Sequence, residues 1–135
     1  MSNAIFAKPK ASPNVTRNQI EKGLKAFFEI VKLWKLSNEQ AMVLLGQPTR
    51  STYYIWKKGE FKGSVNFDLA SRLSYILGIF KALELLYTRP ELADRWVSQP
   101  NLTFGGQSAL DRLMGGQITD LAQVRDYLDS VRGGW

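Results

Sequence analysis

Cysteine and histidine are both absent from the 135 residues. Their absence removes thiolate and imidazole catalysis, and with them the usual zinc and iron ligands. It also removes disulfides, which fits a reducing cytoplasm. Acidic residues are scarce beside basic ones, 12 against 18, for a net charge of +6. No run of about 18 apolar residues occurs, so no transmembrane helix is expected. A secretory leader is not expected either, because Lys8-Pro9-Lys10 interrupts any apolar stretch near the start. The loop Phe104-Gly105-Gly106-Gln107 lacks a following Lys-Ser or Lys-Thr, so it is not a P-loop. A paired-carboxylate active site finds no support, since the late acidic residues alternate with arginines and no orienting group accompanies them. The exclusions point to a cytoplasmic, non-enzymatic chain without a metal or cofactor.

What the chain does hold is 44% apolar residues, enough for a real core, and a lopsided charge. Residues 1–68 carry nine lysines and two arginines against four glutamates and one aspartate, so the whole excess lies there. Residues 69–135 carry one lysine and six arginines against two glutamates and five aspartates, which balance. A basic half beside a neutral half suggests a polyanion-binding module joined to something else, with solubility alone as the plainer alternative.

Residues 1–15, with Pro9 and Pro13, read as a loosely attached arm. Thr16-x-x-Gln19 is a capping box, and Ile20, Leu24, Phe27, Phe28, Val31 and Trp34 then recur at helical spacing. Ser37-x-x-Gln40 opens a second, short helix that Gly46 ends. Thr49 is placed to cap a third helix that Gly59 ends. After Ser64, another cap candidate, the apolar series from Phe67 to Tyr87 covers much of a helix circumference, as a central helix requires. Gly78 in its middle suggests close packing. Shorter helices are expected over 90–97, 108–114 and 119–131, where Asp129 is spaced to pair with Arg125 or Arg132 on the surface. No hairpin signal or sustained period-two run appears, so the chain reads as all-α.

Residues 37–59 have the spacing of a helix-turn-helix: a short helix, a glycine at the turn, and a second helix with a polar front. That front enters the major groove in such motifs, so Thr49, Arg50, Ser51, Thr52 and Tyr53 are the candidate DNA contacts. Lys57 and Lys58, with Lys62, would meet phosphates, while Tyr54 or Ile55 and Trp56 would pack inward. The alternative is an ordinary helix pair with a solvated, lysine-rich end. Since such motifs read two half-sites, a homodimer on promoter DNA is expected, with the first helix and the 67–87 helix as candidate dimer surfaces.

The second half carries an ordered set of residues: Trp96, Pro100, Asn101, Phe104, Gly105, Gly106, Ser108, Ala109, Leu110, Asp111, Leu113, Gly116, Asp120, Leu121, Val124, Arg125, Tyr127, Leu128, Asp129, Arg132 and Gly133. This pattern resembles the C-terminal toxin-binding domain of the Xre/MbcA/ParS type II antitoxins. The first half is similar to the family's Xre-like helix-turn-helix, in its Leu44-Leu45-Gly46 and its Trp56-Lys57-Lys58-Gly59. The turn between Gly46 and Trp56 is slightly longer than the family's pattern. The resemblance implies a DNA-binding region over 16–66 and a toxin-binding domain over 67–135. It implies an antitoxin that blocks the active site of a cognate toxin, commonly of the RES type that consumes NAD, and that represses its own operon. Carried over, Asn101, Phe104, Gly105 and Gly106 form the loop facing the toxin, and Arg132, Gly133, Gly134 and Trp135 form a tail. A packed turn, with Asn101 capping and Phe104 in the core, is the alternative for that loop. For the whole chain the alternative is a free-standing helix-turn-helix regulator whose second half only dimerises.

Overall fold

A computed structural model describes residues 15–133. Among these residues the chain is all-α, with seven α-helices, one turn of 3₁₀-helix and no strand. The helices are α1 (Arg17–Leu33), α2 (Asn38–Leu44), α3 (Arg50–Lys57), α4 (Phe67–Leu86), α5 (Pro90–Trp96), α6 (Ala109–Leu113) and α7 (Ile118–Val131). The 3₁₀ turn, Leu102–Phe104, lies between α5 and α6.

The caps read from the sequence form. Thr16 and Ser37 each accept from the backbone N–H three residues on, and Gln19 and Gln40 complete reciprocal boxes. Each such cap satisfies orphan amides and contributes roughly 1 kcal/mol. α2 ends in a Schellman turn, with Gln47 N–H donating to Met42 and Gly46 N–H to Val43. Gly46 takes φ +88° without strain, and Gln47 follows at φ +62°. These two left-handed residues absorb the longer turn and start α3 at Arg50, capped by Thr49. The next cap differs from expectation. Asn66, not Ser64, accepts from the Leu69 amide and starts α4.

α4 is the central element. Leu69, Ala70, Leu73, Ile76, Ile79, Ala82 and Leu83 are buried along it. It packs against α1 on one side and against α5 and α7 on the other. Phe67, the first of the apolar series, is exposed instead. The chain closes as one hydrophobic cluster that joins Phe27, Trp34 and Tyr53 of the first half to Leu113, Leu121 and Leu128 of the second.

Two arginines pin the halves to α4. The buried Arg72 donates to Asp68 at 2.9 Å and to the carbonyls of Val43 and Leu44, at 3.5 and 3.4 Å. It thereby neutralises the carbonyl end of α2. On the other side, Arg125 lies across Gly78, where an added Cβ would come within 1.7 Å of its guanidinium. Arg125 also pairs with Asp129 at 3.3 Å, and Arg132 approaches the same carboxylate at 4.0 Å. These pairs are half-buried or deeper, not the surface bridges expected.

Candidate functional site

The outer face of α3 is built around Tyr54. Arg50 lies 5.8 Å and Lys57 5.9 Å from its ring centre. Positions 50, 54 and 57 fall one helical turn apart, so the three make one exposed stripe. Arg50 is 65% exposed and 3.9 Å from Glu39, a loose pair that leaves the guanidinium free to turn outward. Lys57 donates to the Asn38 side-chain oxygen at 2.8 Å, and Lys58 is exposed at the C-cap. Thr49 and Ser51 are exposed at the front, and Thr52 is half-buried. The Thr49 hydroxyl is occupied in capping, accepting from the Thr52 amide.

Tyr53 corrects the expected DNA-contact set. It is fully buried, packed edge-on against Phe28, with its hydroxyl donating to Asn38 at 2.8 Å. Burial raises its pKa, with the neighbouring Tyr54 and Glu39 adding to the rise. Of Tyr54 and Ile55, the two offered for inward packing beside Trp56, Ile55 is half-buried and Tyr54 is exposed.

The loop between α5 and α6 is tied down from several directions. Asn101 N–H donates to the Gln107 carbonyl, and Pro100 bridges to Ser108. The Asn101 side chain accepts from Thr103 at 2.9 Å, while its carbonyl accepts from Phe104 and Gly106. Phe104 is clamped by Trp96 and Tyr127, at ring distances of 6.4 and 5.6 Å. Asn101 caps the 3₁₀ turn, and Phe104 packs partly buried against the core. The residue that projects is Leu102, 93% exposed on this rigid base. Gly105 and Gly106 adopt φ of +69° and +85°, with open space where a Cβ would stand. Their positive φ favours glycine, and their open side lets a partner approach the backbone.

The tail is described as far as residue 133. Arg132 caps α7 and is largely buried, and Gly133 turns at φ +95°. Gly134 and Trp135 lie outside the described residues.

Residues 82–134 match the family described as the antitoxin Xre/MbcA/ParS C-terminal toxin-binding domain. A relative from Sinorhizobium fredii (strain NBRC 101917 / NGR234), the uncharacterized protein y4oB, is 44% identical over 124 residues. That similarity covers 92% of this chain and 95% of the relative, so it takes in both halves. The chain belongs to the Xre/MbcA/ParS antitoxin family.

The antitoxin's matched span begins inside α4 and includes α5, the tied loop, α6 and α7. The partner of this span is a cognate toxin. Three exposed large apolar residues, Leu85, Leu102 and Val131, fall within it. Tyr54 and Leu102 are the surface residues that sequence reasoning missed. For Leu102 the only signal was an apolar residue between a capping asparagine and a threonine in a loop. No helix of the described residues is long and apolar enough to cross a membrane.

Proposed function

We propose that this antitoxin neutralises a RES-type, NAD-consuming toxin by covering its active site, and represses its own operon by binding promoter DNA as a cytoplasmic homodimer. The observation that supports both parts is a toxin-binding domain sharing one core with a basic helix pair. On the DNA side, Arg50 and Tyr54 would meet base edges at the front of α3. Thr49, Ser51, Thr52, Lys57 and Lys58 would add hydroxyl and phosphate contacts. On the toxin side, Leu102 would fill a pocket while Gly105 and Gly106 let the toxin close on the loop backbone. Arg132, Gly133, Gly134 and Trp135 would extend that contact. The homodimer rests on the half-site geometry of helix-turn-helix proteins. The family is in general non-enzymatic, and no chemical step is assigned to the chain.

Co-expression with the product of the neighbouring reading frame tests the reading. The expected result is restored growth, preserved cellular NAD and a complex that survives gel filtration. No rescue and no complex would refute it. Removal of residues 133–135 should weaken neutralisation and spare promoter retardation; equal loss of both would count against the tail's assignment.

A further inference from the structure

A wide groove of about 1050 Å³ runs along α1 and the C-terminal end of α3, away from the loop at 100–108. Its floor is apolar, formed by Leu24, Phe28, Val31, Leu36, Trp56 and Phe61. α1 lines it from Asn18 to Lys32, which at ~1.5 Å per residue is roughly 22 Å of helix.

The charges around the floor are unbalanced once existing pairs are removed. Glu29 is paired with Lys32 at 3.3 Å and Glu60 with Lys62 at 3.5 Å, while Glu39 makes a loose pair with Arg50 at 3.9 Å. Glu21 is the one lining acid with no ion pair among the described residues. On the basic side, Lys22, Lys25, Lys35 and Lys58 line the groove with no side-chain partner among the described residues. Lys57 meets only neutral groups, the Asn38 side-chain oxygen and the Tyr54 ring. Lys35 stands at φ +58° in the turn after α1, a position a glycine would fill without strain.

We infer that this groove is a docking site for an acidic amphipathic helix of a partner protein. Such a helix sets its apolar face on the floor and its Asp or Glu flanks against the lysines. Duplex DNA would meet the lysines but has nothing to place on an apolar floor. A second copy of the chain would bring the same basic excess, which repels. Lys57 and Lys58 also belong to the proposed DNA set. On that reading, filling the groove withdraws two phosphate contacts and loosens the promoter.

The test uses the full chain and a labelled helical peptide of about eighteen residues, with leucines on one face and glutamates on its flanks. Control peptides carry Gln for Glu or Ser for Leu. Anisotropy measures affinity without any DNA present, so failure here is separate from failure of the DNA-binding reading. The parent peptide is expected to bind and to shift the Trp56 indole resonance. Each control, and the Lys25→Glu/Lys35→Glu variant, should weaken binding at least about tenfold, with an unchanged melting temperature for the variant. The proposal is overturned if the parent peptide does not bind, or if the Ser control binds equally, since that is charge attraction alone. It is equally overturned if an oligonucleotide binds more tightly than the peptide and the Lys25→Glu/Lys35→Glu variant weakens that binding. Concentration-dependent self-association that the double variant abolishes would assign the groove to a second copy.

Discussion

Arg50 on α3 and Leu102 on the loop at 100–108 are exposed side chains of the two halves, at 65% and 93%. Their surroundings differ in kind. Arg50 belongs to a stripe of charge and ring faces, loosely tied to Glu39 and free to reorient. Leu102 is a lone apolar side chain on a backbone held by six hydrogen bonds and an aromatic clamp. The first suits a charged, extended ligand whose contacts act over several ångströms and fade with salt. The second suits a preformed pocket, where rigidity lowers the entropy lost on binding. One small core thus displays two surface chemistries, and the chain's charge asymmetry follows that division.

The sharpest way to break this contrast is Leu102→Asp. A displayed anchor is worth about 2 kcal/mol or more, so toxin affinity should fall roughly thirtyfold. Promoter retardation and melting temperature should not move, because the side chain touches little of its own protein. A parallel loss of DNA binding in gel retardation would dissolve the distinction.

Gly78→Ala strikes where the halves are joined. The new methyl displaces the Arg125 guanidinium and its link to Asp129, and helix propensity returns part of that cost, so the net destabilisation should be about 1 kcal/mol. Calorimetry should record a melting temperature lower by a few degrees, with both binding activities declining together near the transition. An unchanged melting temperature would show that Arg125 swings aside freely.

Arg50→Ala should weaken promoter binding about tenfold and leave toxin binding intact. Unchanged retardation at moderate salt would remove Arg50 from the recognition set. The most local effect belongs to Thr49→Ala, which deletes the α3 cap at a cost of about 1 kcal/mol. Its melting temperature should drop by a few degrees, and hydrogen exchange should quicken in α3 before the rest of the core.

Most helices were legible because their signals are local: a capping hydroxyl, a glutamine three residues on, and apolar residues at helical spacing. The assignments that changed depend on information the local sequence does not contain. Tyr53 and Tyr54 are adjacent and equally amphipathic, and one position along a helix turns a side chain by about 100°. Which of them faces inward was decided by where α3 starts, and that depended on two left-handed residues in the turn. Ser64 and Asn66 are both good caps, and only packing chose between them. At the loop, Phe104 turned inward because Trp96 and Tyr127, remote in sequence, supply its slot. Leu102 was left outside by the same choice. No local signal marks the lysines of α1, and the groove beside them needed α3 to be in place.

The central claim is that DNA and toxin are held on separate faces of one core. Native mass spectrometry of the antitoxin mixed with its cognate toxin and a promoter duplex tests it most directly. Separate faces predict a ternary complex containing all three components. If toxin and duplex instead displace each other, leaving only binary complexes, the two faces overlap and the account is wrong.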